Sequence, residues 1–333
     1  MREKILLAHG SGGRLTHDLI RRLILPKFGN PLLNQLTDSA TFPVRGKELS
    51  FTTDSFVVHP LFFPGGDIGK LAVFGTVNDL VVCGAAPLYL SLALIIEEGL
   101  ACSSLERVVD SISSASRACG LRIITGDIKV VGRGACDKLF INTAGIGRLI
   151  RHLSVKNIKS GDAIIITGRI AEHGLSILSQ REGMDFGREI RSDCASLDNL
   201  LLPLLQRSRA VRFMRDPTRG GLATTLNEIA QAANLGIVIE EKCIPVANRV
   251  KAASELLGID PLYIANEGKA VLVVEPGCAE DTLKYLRRSK QGKFSRVIGR
   301  VVAKPKREVV LNTLAGTGRI LDMLSSEPLP RIC

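Results

Sequence analysis

Two hydrophobic rhythms alternate along the chain, a two-residue one and a helical one. Residues 49–58 (LSFTTDSFVV) are rich in β-branched and aromatic side chains and predict a strand. Asp67 then stands where a helix cap is wanted. It precedes a run that predicts a helix to about Cys83, closed by Gly84. Residues 87–96 predict a second strand. Ser103 or Ser104 caps a predicted helix that ends at Gly120, and short strands are expected at 121–125 and 138–146. An earlier helix is expected at 15–25. The strand–helix–strand–helix–strand order describes a mixed α and β domain. After a polar, basic stretch at 151–159 the pattern restarts. A turn at Ser160-Gly161-Asp162 leads into a buried-type strand at 163–167. Helices are expected near 174–181, 197–208, 221–234 and 248–257, with strands at 237–240, 270–274 and 296–301. Domains therefore span 1–152 and 153–305. Gly316, Gly318, Ser325, Ser326, Pro328 and Pro330 make 306–333 a predicted mobile tail that ends in Cys333.

Length changes this picture little: 333 residues fit two domains of about 100–200 residues each. Apolar stretches such as 88–96 stop far short of the ~20 residues of a membrane span, and the opening MREKI has no signal-peptide pattern, so a cytosolic protein is expected. Eight cysteines form no CxxC pair and read as small core residues, Cys333 apart. Net charge is +11, and ten Lys or Arg fall between Lys284 and Arg307. With no Trp and no aromatics among the basic residues, a solvated face is favoured there over a nucleic-acid site.

Three carboxylates interrupt apolar elements of the first half: Asp54, Asp79 and Asp127. A carboxylate there is costly unless paired or bound to a cation, so together they point to Mg²⁺ and nucleotide phosphates, although each alone could cap a turn or pair with Lys. Glycine turns at 9–13 (HGSGG), 63–67 (FPGGD) and 219–221 (RGG) precede expected helices and could cradle phosphate or merely reverse the chain. Asp67 reads as cap or ligand. Asp216 and Arg219 frame a turn with an Arg suited to phosphate. Lys129 and Glu267 could be ordinary surface charges, and the five His, with no metal-ligand spacing, receive no role. Two short runs, 75–80 (GTVNDL) and 224–229 (TTLNEI), share an Asn-acid pair, either a diverged duplication or two ordinary helices. A thiol at the very end, Cys333, would suit an enzyme that carries an activated group between sites.

HGSGGR (9–14), FTTDSFVV (51–58), FFPGGDIGKLAVFGTVNDL (62–80), TGDIKVV (125–131), RDPTRGGLATTLNE (215–228), NEGK (266–269) and the terminal PRIC together resemble the HypE family of hydrogenase maturation factors. That family lies in the PurM-like superfamily of aminoimidazole ribonucleotide synthetase. The resemblance covers nearly the whole chain. It implies an α+β, two-domain PurM-like architecture with a C-terminal α/β sandwich, dimerised through the N-terminal mixed sheet in a barrel-like interface. It implies ATP contacts at Gly12, Gly13, Asp38, Asp67, Asp79, Asp127, Asp216 and Arg219, and Mg²⁺ on Asp54, Asp79 and Asp127. It further implies that the carbamoyltransferase HypF loads a carboxamide onto Cys333, that ATP drives its dehydration to a thiocyanate, and that cyanide passes to a HypC–HypD complex. Lys129 and Glu267 are the expected groups that orient and deprotonate the amide. Ile128, where Thr is common, and His59, at a variable position, depart from the pattern. Two other readings are a small-molecule kinase of the same superfamily, for which Cys333 would be dispensable, and a scaffold for acidic partners.

Overall fold

The computed structural model describes residues 13–28, 30, 31, 33–44, 47–183, 190–324, 329 and 331–333. Helices α1 (Arg14–Leu19) and α2 (Leu25–Phe28) come first, joined by a π-helical stretch, Ile20–Ile24. The first domain then runs β1 (Ala40–Val44), β2 (Lys47–Phe56), β3 (Phe62–Phe63), β4 (Gly66–Asp67), α3 (Ile68–Val82), β5 (Ala85–Glu97), α4 (Cys102–Ala118), β6 (Arg122–Val131) and β7 (Leu139–Leu149). Its sheet has the order β1-β2-β7-β5-β6, with only β5 and β6 parallel.

Helix α3 lies behind this sheet and is apolar all round, with Ile68, Leu71, Val77 and Leu80 fully buried. One side meets the sheet; the other meets the second domain, where Asn78 Nδ2 donates to the carbonyls of Ala195 and Glu267. Asp67 starts the helix as expected: its Oδ1 accepts from the amides of Gly69 (2.8 Å) and Lys70 (3.0 Å), a cap worth ~1 kcal/mol. Gly84 ends it at φ +84°, with the Arg151 carbonyl packed where a Cβ would sit. The expected serine cap of α4 is not the one used. The helix begins one residue before Ser103, Ala101 takes the cap position, and no side chain caps it. Strand β6 runs six residues beyond the expected end at Thr125, to Val131. It is an open edge, and Ile123, Ile124, Ile128 and Val130 are exposed on it. Among the described residues the sheet is open, with β1 and β6 at its edges, and forms no closed barrel.

The second domain runs β8 (Ala163–Ile166), α5 (Glu172–Arg181), α6 (Asp198–Arg207), β9 (Val211–Arg215), α7 (Gly221–Ala233), β10 (Gly236–Glu240), α8 (Asn248–Leu257), β11 (Val271–Val274), α9 (Ala279–Leu286), β12 (Arg296–Val302), β13 (Val309–Asn312) and β14 (Gly318–Ile320). The sheet order is β14-β13-β10-β12-β8-β11-β9. Strands β8 and β11 are buried throughout, as their unbroken apolar sequence requires. Residues 309–320, expected in the tail, instead add two strands to this sheet. Val309 and Leu311 alternate into the core, a short period-two signal that the surrounding glycines obscure.

The chain end was expected to be mobile, whereas here it is docked. The amide of Val57 donates to the carbonyl of Cys333 (3.0 Å), and that of His59 to the carbonyl of Arg331 (3.3 Å). Leu329 and Ile332 are buried in the core. Apolar burial and backbone pairing outweigh the flexibility that the Gly, Ser and Pro content predicted. Among the described residues no helix is long and apolar enough to cross a membrane.

Candidate active site

A cavity of about 220 Å³ lies where β2 and α3 of the first domain face β9, the turn after it and α7 of the second. Six acids line it: Asp38, Asp54, Asp79, Asp216, Glu228 and Glu267. Arg215, Arg219 and Cys333 line it too. The repeated Asn-acid pairs now acquire a geometric meaning. On α3, Asn78 holds the backbone of Ala195 and Glu267 while Asp79 faces the cavity; on α7, Asn227 holds the carbonyls of Ala223 and Leu321 while Glu228 faces it. Each domain contributes one apolar helix whose Asn secures the packing and whose next residue brings a carboxylate to the site. The turn after β9 supplies Asp216 and Arg219, and it can enter α7 because Gly220 (φ +72°) and Gly221 (φ +62°) adopt the left-handed region.

The charge balance of this cavity is uneven. Arg215 bridges Asp38 (3.2 Å) and Glu228 (3.0 Å), and His17 adds a contact to Glu228 at 2.9 Å. Arg215 and His17 therefore hold Glu228 below the usual carboxylate range despite its burial. The other acids are pushed the opposite way. Burial raises Asp38 and Asp54. Burial, then the carboxylates of Asp216, Asp54 and Asp38, raise Asp79 well above normal, against a hydrogen bond from Thr52 Oγ1 at 2.8 Å. Asp216 is pushed up to about 8 by burial and by Asp38. Glu267 is 3% exposed, its Oε1 has no hydrogen-bond partner among the described residues, and burial followed by Asp216 and Asp54 raises it strongly. Such crowding of poorly compensated carboxylates is how a protein prepares a site for a cation or for proton transfer.

Seven of the expected residues are thus brought together: Asp38, Asp54, Asp79, Asp216, Arg219, Glu267 and Cys333. Four described ones lie elsewhere. Asp127 and Lys129 sit on the exposed edge strand β6, 3.3 Å from one another, outside the cavity of the single chain. Asp67 is engaged as a helix cap and by Ser111 Oγ (2.7 Å), also outside it. Gly13 is the N-cap of α1, and Gly12 lies outside the described residues. Sequence reasoning gave no role to Arg215, Glu228 or Thr52. Their signal was present in the FTTDSFVV, RDPTRGG and NE motifs, but their pairing is set by contacts between distant segments. A larger cavity, about 750 Å³, shares none of these residues. Basic residues 151, 156, 159, 209 and 212 line it without a carboxylate or thiol.

Residues 36–149 match the model of the AIR synthase related protein, N-terminal domain, and residues 159–312 that of its C-terminal domain. Carbamoyl dehydratase HypE of Bradyrhizobium diazoefficiens is 49% identical over 330 residues, which cover 98% of this chain and 95% of that protein. The chain belongs to the HypE family of carbamoyl dehydratases. A solved HypE–HypF complex superposes with a TM-score of 0.87 at 44% identity, covering 92% of this chain and 99% of that one. The hydrogenase maturation protein HypE in complex with ATP superposes with a TM-score of 0.83 at 47% identity, covering 99% and 100%. As a HypE-family member the chain is an enzyme of the carbamoyl dehydratase class, with its role in hydrogenase maturation. The two PurM-like domains, rather than any single motif, build the HypE cavity between them.

Proposed function

We propose that the chain uses ATP to dehydrate a carboxamide carried on Cys333 to a thiocyanate, the source of the cyanide ligand of [NiFe] hydrogenase. One observation carries this reading. The C-terminal cysteine lines the same cavity as the buried acids, including Glu267, whose Oε1 has no hydrogen-bond partner among the described residues. A small-molecule kinase would have no use for a thiol there.

The chemistry follows from the groups present. The oxygen of S–C(=O)NH₂ is a poor leaving group. Attack of that oxygen on the γ-phosphorus of ATP forms a C–O–P linkage, expels ADP and costs the nitrogen one proton. Loss of the second nitrogen proton with cleavage of the C–O bond releases phosphate and leaves S–C≡N. Glu267, a buried carboxylate on the cavity wall, would accept a nitrogen proton. Arg219, exposed at the cavity rim, suits the phosphate oxygens.

The donor set also fits Mg²⁺: oxygen ligands only, with Asp54 raised by burial and Asp79 by burial and by the carboxylates of Asp216, Asp54 and Asp38, a strain that a cation would relieve. Among the described residues no three acidic, His or Cys side chains are gathered as a metal site. The cation would therefore take one or two carboxylates and complete its shell with nucleotide phosphates and water. Bound there, Mg²⁺ would neutralise charge on the transferring phosphoryl group.

Asp127 and Lys129 belong to this scheme only through a second copy. The exposed apolar residues of β6 favour a homodimer through the first sheet, which would cover that strand and complete the barrel-like arrangement. Lys129 would then orient the amide and Asp127 join the metal and nucleotide contacts. Carbamoyl loading is assigned to a HypF-type carbamoyltransferase, in line with the solved HypE–HypF complex, and cyanide delivery to a HypC–HypD complex, in the cytoplasm. Outside these proteins, no nucleic acid or membrane is required.

An isotope experiment tests the phosphorylation step. Cys333 is loaded with carboxamide bearing ¹⁸O on its carbonyl, and ATP is added. The label is expected in inorganic phosphate; label in bulk water instead would contradict activation by phosphoryl transfer.

A further inference from the structure

His173, which no part of the reaction above uses, is buried completely in the first turn of α5. Its Nε2 lies 2.6 Å from the carbonyl oxygen of Ile332, the residue directly before Cys333. Its Nδ1 lies 2.8 Å from Ser192 Oγ. The tautomer follows from the network. Ser192 Oγ already accepts from the Cys194 amide (3.0 Å), so its own proton is free for Nδ1. That leaves the ring proton on Nε2, donated to the Ile332 carbonyl. Burial pushes the imidazole below its usual range, consistent with one neutral donor–acceptor ring. Phe63 meets the ring edge-on, with centroids 5.6 Å apart, and fixes its plane.

The same frame holds Glu267. The residue before α5, Ala171, donates its amide to Asn266 Oδ1 at 2.8 Å, and Asn266 adjoins Glu267. The residue after Ser192, Asp193, accepts from the Glu267 amide at 3.1 Å. His173 is thus tied on both sides to the backbone that presents Glu267. A carbonyl fixed against this ring has its following cysteine fixed relative to Glu267, although 159 residues separate His173 from Ile332. Arg181 supports the clamp one residue earlier by donating to the Arg331 carbonyl at 2.8 Å.

The geometry points to His173 as the positioning residue that clamps the C-terminal segment through the Ile332 carbonyl and registers the group on Cys333 against Glu267. The inference deepens the dehydratase reading and rests on it for its catalytic part. The docking part stands on the chain as it is.

Two readouts on wild type, His173→Ala and His173→Gln test it. One is the rate at which iodoacetamide alkylates Cys333 in the ligand-free protein, quantified on the C-terminal peptide. The other is single-turnover loss of water from carboxamide-loaded Cys333 with ATP, alongside ATP affinity. Loss of a hydrogen bond that leaves a buried carbonyl unpaired corresponds to about tenfold to a hundredfold in an equilibrium. His173→Ala is expected to speed alkylation of Cys333 and to slow dehydration, each by about that factor, at unchanged ATP affinity. His173→Gln, whose amide N–H can replace the Nε2 donor, is expected to restore both. Wild-type rates in His173→Ala would overturn the clamp. So would a His173→Gln variant as impaired as His173→Ala, because bulk rather than the donated bond would then be what matters. Failure of the wild type to dehydrate a loaded carboxamide would remove the dehydratase reading instead, while the alkylation rates still decide whether His173 holds the end.

Discussion

Glu267→Gln is expected to lower the rate of carboxamide dehydration by about 10²–10⁴-fold, the usual worth of a positioned proton acceptor. The substitution keeps the shape of a side chain that is 3% exposed and removes only its ability to take a proton. The Glu267 amide to Asp193 and the Glu267 carbonyl to Asn78 are backbone contacts and survive it. Carbamoyl loading of Cys333 and ATP binding should remain within a few-fold of wild type. Single-turnover mass spectrometry on preloaded protein separates the step from loading. A rate within a few-fold of wild type would show that Glu267 is a wall of the cavity and not its base. The strong upward push on its carboxyl comes from burial first and then from Asp216 and Asp54, so its proton affinity is tied to the charge of the whole cluster.

The second large effect concerns stability. Arg215 neutralises Asp38 and Glu228 at once, joining the segment before β1, strand β9 and helix α7. Arg215→Ala leaves two enclosed carboxylates without their partner. Breaking a buried pair this way costs about 3–5 kcal/mol. The lower end is expected because the Arg215 side chain keeps 19% of its exposure. Urea denaturation measures it as a lower midpoint at unchanged slope. A loss under about 1 kcal/mol would mean that the network behaves as a surface pair. The sign of its pH dependence follows from Glu228, which Arg215 holds below the usual range. Stability from a depressed carboxyl is present above its unfolded value and lost as pH falls through the folded one. The difference between wild type and Arg215→Ala should therefore shrink in acid.

Elements whose signals are local were legible in the sequence. The Asp67 cap and the Gly84 stop were read from one turn of chain, and α8 begins and ends where expected. The acids of the site were legible for a different reason: Asp54 and Asp79 interrupt apolar runs, a local anomaly that a core would not tolerate without a purpose. Contacts between distant segments were not legible. Nothing near Arg215 says that Asp38 and Glu228 will share it. His173 looks like any histidine on an amphipathic helix until the chain end arrives beside it. Docking of the chain end was not legible because Gly, Ser and Pro report chain flexibility and leave docked or extended open, while the burial of Leu329 and Ile332 depends on a groove built elsewhere. Asp127 and Lys129 show the converse: their motif is plain in the sequence, and their place on an exposed edge strand gives them no partner in the cavity of one chain.

The most direct measurement is intact mass spectrometry of the C-terminal peptide after incubation with the carbamoyltransferase and carbamoyl phosphate, with ATP for the dehydration step supplied to one loaded sample and withheld from the other. A carboxamide on Cys333 that loses one water only in the sample given ATP is the result predicted here. An unmodified Cys333 in both samples, with the transferase active on another acceptor, would contradict it.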